Sequence, residues 1–595
     1  MLDFFRKALL CILALWNSIA GCFAQTNRLD FFVYLDKNAA VPVVSAAGGK
    51  ILIETEEGIQ KICTKYALAG AEIVQARQIP DCAVIRVNNK QKTEIRVRFV
   101  PDSDVWISVG GQTVRRPVDE KADAWDGDAH GPERPYMHDY SQTLTMKIFM
   151  AAPDPNDPEG SLVNLRFDEV LEKIKEIDAL SLGIPKIIYL VGWQNRGHDD
   201  RYPTIGTVNP FLACPGSTDA REDLRFLMRE ARQYNTAVSL HINSTDIYQN
   251  SPDWALYRKN DLIGTKGGVE FGTGTWNGID ACQVVYKTLW ESGFYKKWVD
   301  SLLEMLPELR TAGTVHSDAF GCRPSDQSTM EQEWAARRQM IRYWRDCGLD
   351  LTTECMSSGS AGEGWEAPNG NSVSPTGLVG LVPYAWHLWQ DEAFWHSRPS
   401  SLLAGGGMPH TERMDWEDLG RGNQAIAFLY GRSMQGEDII SRAADWSERF
   451  LGQFCTTTLL YAYQNQFANV SVTGSGAERT LTKEGGLIAQ YSAAPANRTI
   501  TKDGVLLRQD DDVFAPIAWL KDFPAVAAYS RNGYTGRTWT LLPDWDGISA
   551  VDMYEITKDG PQLLIGNAVI SAQRTIALAL APDQAVLIVP AGATV

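Results

Sequence analysis

The chain has 595 residues, 56 Lys plus Arg and 73 Asp plus Glu, a formal charge of −17. That balance repels a phosphate backbone and excludes nucleic acid as a partner. Hydrophobic residues make up 44% and charged residues 22%, close to the globular average, which excludes a disordered or fibrous chain.

At the N-terminus Arg6 and Lys7 precede an apolar run, Ala8 to Leu15, and then small residues, the layout of a secretory signal peptide. Two exits are written there. Cys22-Phe23-Ala24 before Gln25 suits ordinary signal peptidase cleavage over 1–24, and Ile19-Ala20-Gly21-Cys22 resembles a lipobox in which Cys22 is acylated. The mature protein is expected to be exported, periplasmic or extracellular, with the membrane reached only through a lipid at Cys22. No later run approaches the roughly 18 apolar residues of a span. Eight Cys follow the leader, Cys63 and Cys82 being the pair to test first for a disulfide. No C-x-x-C or H-E-x-x-H spacing points to zinc.

Residues 25–147 read as strands, among them DFFVYL, KILIET, AVIRV and VWISV, cut by Gly-Gly, Asn-Asn and Pro-Asp turns, and predict an N-terminal β-sandwich. From 148 to 467 helices alternate with short apolar strands. Helices are predicted near 164–181, 219–234, 288–308 and 328–346, and strands at KIIYLVGW, TAVSLHIN, GTVHSDAF and LDLTTECM. Repeated αβ units without a G-x-G-x-x-G favour a (β/α)₈ TIM-type barrel over a doubly wound sheet. Strands return over 468–595 as GLIAQYS, GVLLRQ, AVAAYS, RTWTLLP, TIALALA and AVLIVP, predicting a C-terminal β-sandwich. The expected architecture is thus a central barrel flanked by two sandwiches.

Barrel enzymes place their chemistry at the C-terminal ends of the strands. Polar residues ending otherwise apolar strands are His198, Asp199 and Asp200, then His241 and Asn243, then His316 and Asp318, then Glu354. Asp318 and Glu354 are one αβ unit apart, so two carboxylates fall on neighbouring strands about 4.8 Å apart. Such a pair suits glycoside hydrolysis with retention, one carboxylate attacking the anomeric carbon and the other acting as acid and then base. His316 shares a face with Asp318 and is a candidate to orient it. The run AWHLWQDEAFW at 385–395 offers aromatic faces for core packing or for sugar.

The segments VGWQNRGHDDRYP, YNTAVSLHINSTDIY, HSDAF and TTEC, in that order, resemble glycoside hydrolase family 101, the endo-α-N-acetylgalactosaminidases, and its smaller relative, family 129. The text from YSRNGYTGRTWTLLPDWDG onward is similar to the β-domain behind the family's barrel. The resemblance implies that Asp318 is the nucleophile and Glu354 the acid/base, and that His198 and Asp199 hold GalNAc hydroxyls. His241, Asn243, Trp276 and His316 are the further candidates for substrate contact. Of two aromatic residues expected upstream of the nucleophile, Trp276 fits the first and Gly278 replaces the second. That departure, with the shorter chain, implies exo removal of α-GalNAc from Ser or Thr of an O-glycoprotein or glycopeptide.

Three alternatives stand beside it: an endo-acting enzyme releasing Gal-β-1,3-GalNAc, a non-catalytic glycan-binding lipoprotein, and a metal-dependent hydrolase with His198, Asp199, His241 and Asp318 as ligands. The chemistry of the leading reading needs no cofactor. A structural Ca²⁺ is compatible with the abundant oxygen ligands, and the sequence leaves its site unknown.

Overall fold

The computed structural model describes seven strands between residues 28 and 116, residues 135–353 except 319, and residues 428–595 except 433, 436–438, 468, 476–477 and 495–496. The leader, Cys63, Glu354, Cys355 and the Trp-rich run at 385–395 lie outside the described residues. The chain forms two compact units, Met1–Trp125 and Asp126–Val595. In the first unit Arg28–Val33, Cys82–Asn88 and Glu72–Ile79 make an antiparallel sheet with Cys82–Asn88 central. Val43–Ala47 pairs Lys50–Glu54, and Val105–Val109 pairs Gln112–Arg116, both antiparallel.

The second unit opens with strand β1 (Leu144–Phe149) and helix α1 (Phe167–Leu180). Then come β2 (Lys186–Val191), α2 (Ala220–Glu230) and β3 (Thr236–Ile242). A side excursion follows, made of β4 (Asp246–Tyr248), β5 (Gly272–Trp276) and β6 (Ile279–Gln283). The main path resumes with α3 (Phe294–Met305), β7 (Thr314–Ser317), α4 (Met330–Asp346), β8 (Asp350–Thr353) and, much later, β9 (Met434–Gln435). The main sheet runs β8-β7-β3-β2-β1-β9, every pair parallel. β2, β7 and β8 are buried along their whole length, as strands of a parallel sheet covered on both faces must be.

The helices follow from capping and spacing. α1 buries Phe167, Val170, Ile174, Ile177 and Leu180, a 3.6-residue stripe, and carries Asp168 and Glu169 in its first turn, where the helix dipole favours negative charge. Asp219 caps α2 by accepting from the N–H groups of Arg221 and Glu222, each at 3.1 Å, and Thr329 with Gln332 makes a capping box at α4. The helix expected over 288–308 is two helices, Tyr286–Glu291 and α3, because Gly293 between them takes φ +74°. β1 straddles the boundary drawn at 147/148, so the parallel sheet begins ahead of it.

Behind this layer lies one long antiparallel sheet, from Asn469–Ser475 at one edge to Gln562–Val569 at the other. Its strands alternate. Val513 and Ala515 join the large core beneath the helices, whereas Phe514 packs with Trp539, Ile576, Leu578 and Leu580 in a second core. The period of two thus fills both faces. The cover over the second core is a two-stranded sheet, Tyr534–Thr540 with Thr575–Leu580, so the expected sandwich has one broad layer and one narrow one. Among the described residues no helix is long and apolar enough to cross a membrane.

Candidate active site

The loop after β2 is pressed against the end of β1. His198 N–H donates to Ala151 O at 2.7 Å. A Cβ at Gly192 (φ +75°) or Gly197 (φ +129°) would collide with that same Ala151 carbonyl, which is why this turn is written with glycine. It ends by turning its acids in opposite directions. Asp200 is fully buried and anchors the loop through Arg196 (2.6 Å) and Asn250 (2.8 Å). Asp199, in the left-handed region at φ +56°, is part-exposed beside His198, with Oδ2 3.4 Å from its Nε2. Tyr248 at the end of β4 donates to Asp199 Oδ1 at 2.8 Å, and Tyr202 lies 3.3 Å from His198 Nδ1.

β3 and β7 bring up the second half. His241 pairs in register with His316, and His316 with Thr352 of β8, so the three share one row across three strands. The His241 ring lies edge-on to His198 (centroids 5.3 Å) and stacked on His316 (5.5 Å), with Nε2 3.7 Å from Asp318 Oδ1. Asp318 follows β7 directly, donates its N–H to Ile242 O at 2.7 Å, and keeps 17% of its side chain exposed. Asn243 Nδ2 is 3.3 Å from Asp318 Oδ2.

Three expected substrate contacts, His241, Asn243 and His316, are buried, at 1%, 2% and 0% exposure. His316 is fully buried, with Nδ1 2.8 Å from Thr352 Oγ1 and its ring 5.1 Å from Tyr189. It lies beside His241 in the same row of the sheet, two residues before Asp318 on β7. Asn243 is also buried, facing Asp318 and not solvent. Trp276 is 47% exposed at the end of β5. Trp276 pairs Ile279, which leaves Asn277 (φ +50°) and Gly278 (φ +76°) as a two-residue turn with positive φ at both positions, the favoured tight connection between twisted antiparallel strands. A second Trp at 278 would be strained in that turn. Asn277 Nδ2 ties the tip to His198 O at 3.0 Å.

Burial, with Asp199's charge behind it, pushes the Tyr202 and Tyr248 hydroxyls well up, so both remain protonated donors. Burial likewise raises Asp246, against the opposing pull of Arg323, whose Nη1 is 3.6 Å from its Oδ1. His198, Asp199 and Asp318 each present one ligand atom, all within 4.8 Å of one another. An imidazole and two carboxylates at that spacing can bind sugar hydroxyls or a divalent cation. The described cysteines 214, 282, 322, 347 and 455 are free thiols, and burial pushes Cys282 to about 11 and Cys322 to about 12. Sequence reasoning missed Tyr202 and the inward role of Asp200. The Tyr was hidden in a loop, and two adjacent acids cannot be told apart without the backbone turn between them.

Among curated proteins, a "Putative endo-alpha-N-acetylgalactosaminidase" of Renibacterium salmoninarum is 22% identical over 447 residues, 71% of this chain and 25% of the relative. The chain thus spans about a quarter of that protein's length. Among solved structures, the α-N-acetylgalactosaminidase NagBb of Bifidobacterium bifidum in complex with GalNAc is 12% identical, covering 75% of this chain and 70% of that one, with a TM-score of 0.40. The GH36 α-galactosidase AgaA of Geobacillus stearothermophilus is 12% identical, covering 95% and 76%, with a TM-score of 0.36. Residues 159–371, which include every site residue from His198 to Asp318, match the family model described as endo-α-N-acetylgalactosaminidase, and the resemblance carried by the Gly-His-Asp, His-Ile-Asn and His-Ser-Asp segments is therefore to glycoside hydrolase family 101.

Proposed function

We propose that this protein is a retaining glycoside hydrolase that removes α-linked GalNAc from Ser or Thr of O-glycoproteins or glycopeptides, acting from the exposed end of the glycan. The observation that carries the reading is the part-exposed Asp318 carboxylate at the C-terminal end of a parallel sheet, with His198 and Asp199 beside it. The register supports the partner acid. Ser317 and Thr353, the last residues of β7 and β8, pair with each other, and Asp318 and Glu354 are the residues that follow them in the sequence.

Asp318 attacks the anomeric carbon while Glu354 protonates the leaving oxygen; Glu354 then takes a proton from the water that hydrolyses the glycosyl-enzyme. His198 and Asp199 orient the sugar hydroxyls, and Trp276 offers an apolar face. β9 lies on the far side of β1 from β2, where the last strand of a closed barrel belongs, and this supports a (β/α)₈ closure. Export by the leader at 1–24 belongs to the same proposal.

Incubation with aryl α-GalNAc and aryl α-Gal-β-1,3-GalNAc tests the reading. Release from the first is expected, and release from the second alone makes the enzyme endo-acting. Sugar binding without turnover would make it a glycan-binding protein. One observation favours a second reading, a metal-dependent hydrolase: the 4.8 Å cluster of His198, Asp199 and Asp318. Stoichiometric transition metal in the purified protein, together with loss of turnover on chelation, would establish it over the first.

A further inference from the structure

Asn243 is 2% exposed, and its amide is committed on both sides. Oδ1 accepts the N–H groups of Thr245 (2.9 Å) and Asp246 (3.1 Å), closing the turn from β3 into β4. Nδ2 faces two carboxylate oxygens, Asp318 Oδ2 at 3.3 Å and Asp246 Oδ2 at 3.5 Å. The donor and acceptor inventory allows one orientation. A flipped amide would set its carbonyl against two carboxylates and its NH₂ against two N–H donors.

The same turn grips the backbone of Asp318, since Thr245 Oγ1 donates to Asp318 O at 3.1 Å. Asp246 is held in turn by Arg323, both nearly fully buried, and Arg323 lies on the segment that leaves Asp318. The turn after β3 and the loop after β7 are therefore locked together around one carboxylate.

We propose that Asn243 is a positioning residue for Asp318: fixed by the turn it caps and by the Asp246–Arg323 pair, its amide sets the direction in which the nucleophile's carboxylate faces. This rests on Asp318 being the nucleophile. It assigns Asn243 to the enzyme's own acid rather than to the sugar.

Asn243→Asp is the discriminating variant. An aspartate accepts the same two N–H groups, so the turn persists, but it offers Asp318 a repelling oxygen in place of a donor. With aryl α-GalNAc, kcat is expected to fall about 100-fold, the scale of a misplaced reacting group, with KM within about threefold of wild type and a lowered melting temperature, because a third buried carboxyl is set against two others. Asn243→Ser, which also caps the turn but is too short to reach Asp318, is expected to show the same split and serves if the aspartate variant does not fold. Wild type and Asp318→Ala are assayed alongside. Wild-type kcat in the Asn243 variants, or a raised KM at unchanged kcat, overturns the positioning role while Asp318→Ala remains inactive. An inactive wild type or a fully active Asp318→Ala overturns the underlying reading, and this inference with it.

Discussion

The Tyr248 hydroxyl donates to Asp199 Oδ1 at 2.8 Å, joining the side excursion after β3 to the loop after β2. Since Tyr248 stays protonated, it holds one oxygen of Asp199 and leaves the other toward His198. Tyr248→Phe removes a hydrogen bond to a charged acceptor, worth about 1.5–3 kcal/mol. The expected result is a fall in kcat/KM of about tenfold or more on aryl α-GalNAc, with the fold kept. Steady-state kinetics and a thermal melt check this; unchanged kcat/KM would show that Asp199 needs no such anchor.

Asp318→Ala and Glu354→Ala are each expected to lower turnover by about 10³-fold or more, because residues that act as a unit in one reaction lose most of the chemistry when either is removed. Asp318 is part-exposed at a strand end, so its truncation should leave stability within about 1 kcal/mol. Wild-type rates in either variant would remove that residue from its role.

Asp200 is predicted to matter for folding alone. Asp200→Ala removes the carboxylate that Arg196 meets at 2.6 Å and that Asn250 bonds at 2.8 Å, and losing charge-assisted hydrogen bonds of this kind costs about 1.5–3 kcal/mol. A chemical denaturation curve should show that loss, while the surviving folded fraction keeps its KM. A stable variant with altered KM would move Asp200 to the sugar-binding group.

Glu333, at the start of α4, accepts N–H bonds from Tyr286 (2.9 Å) and Lys287 (3.2 Å), and burial pushes its carboxyl to about 7. A carboxyl whose folded pKa is raised binds its proton more tightly in the folded state. Its contribution is therefore fully present below the unfolded value and lost as pH rises through the folded one. Glu333→Gln should gain stability relative to wild type between about pH 4.5 and 7, by up to about 3 kcal/mol. Paired melts at pH 5 and pH 8 test this; a constant difference between the two proteins would show that Glu333 is ionised throughout.

Much of the site was legible in the sequence because its side chains end apolar strands. His198, Asp199 and Asp318 meet as that rule predicts, with His241 buried next to them in the same row as His316. The rule says less about depth. His316 precedes Asp318 by two residues and shares its face, yet lies one row lower, against Thr352 and Tyr189. Pairing across the sheet sets that depth, and a single strand does not encode it. β1 escaped for a related reason, since LTMKIF reads as sandwich text until its neighbours β2 and β9 are known. Gly278, where the resemblance calls for an aromatic residue, is the second of two positive-φ residues in a hairpin turn.

The most direct test of the central claim, that Asp318 forms a glycosyl-enzyme, is the anomeric form of the first product. Proton NMR during the first minutes of hydrolysis of an α-GalNAc glycopeptide should show α-GalNAc appearing first and mutarotating to β. β-GalNAc as the initial product would mean direct attack by water and would contradict the nucleophilic role of Asp318.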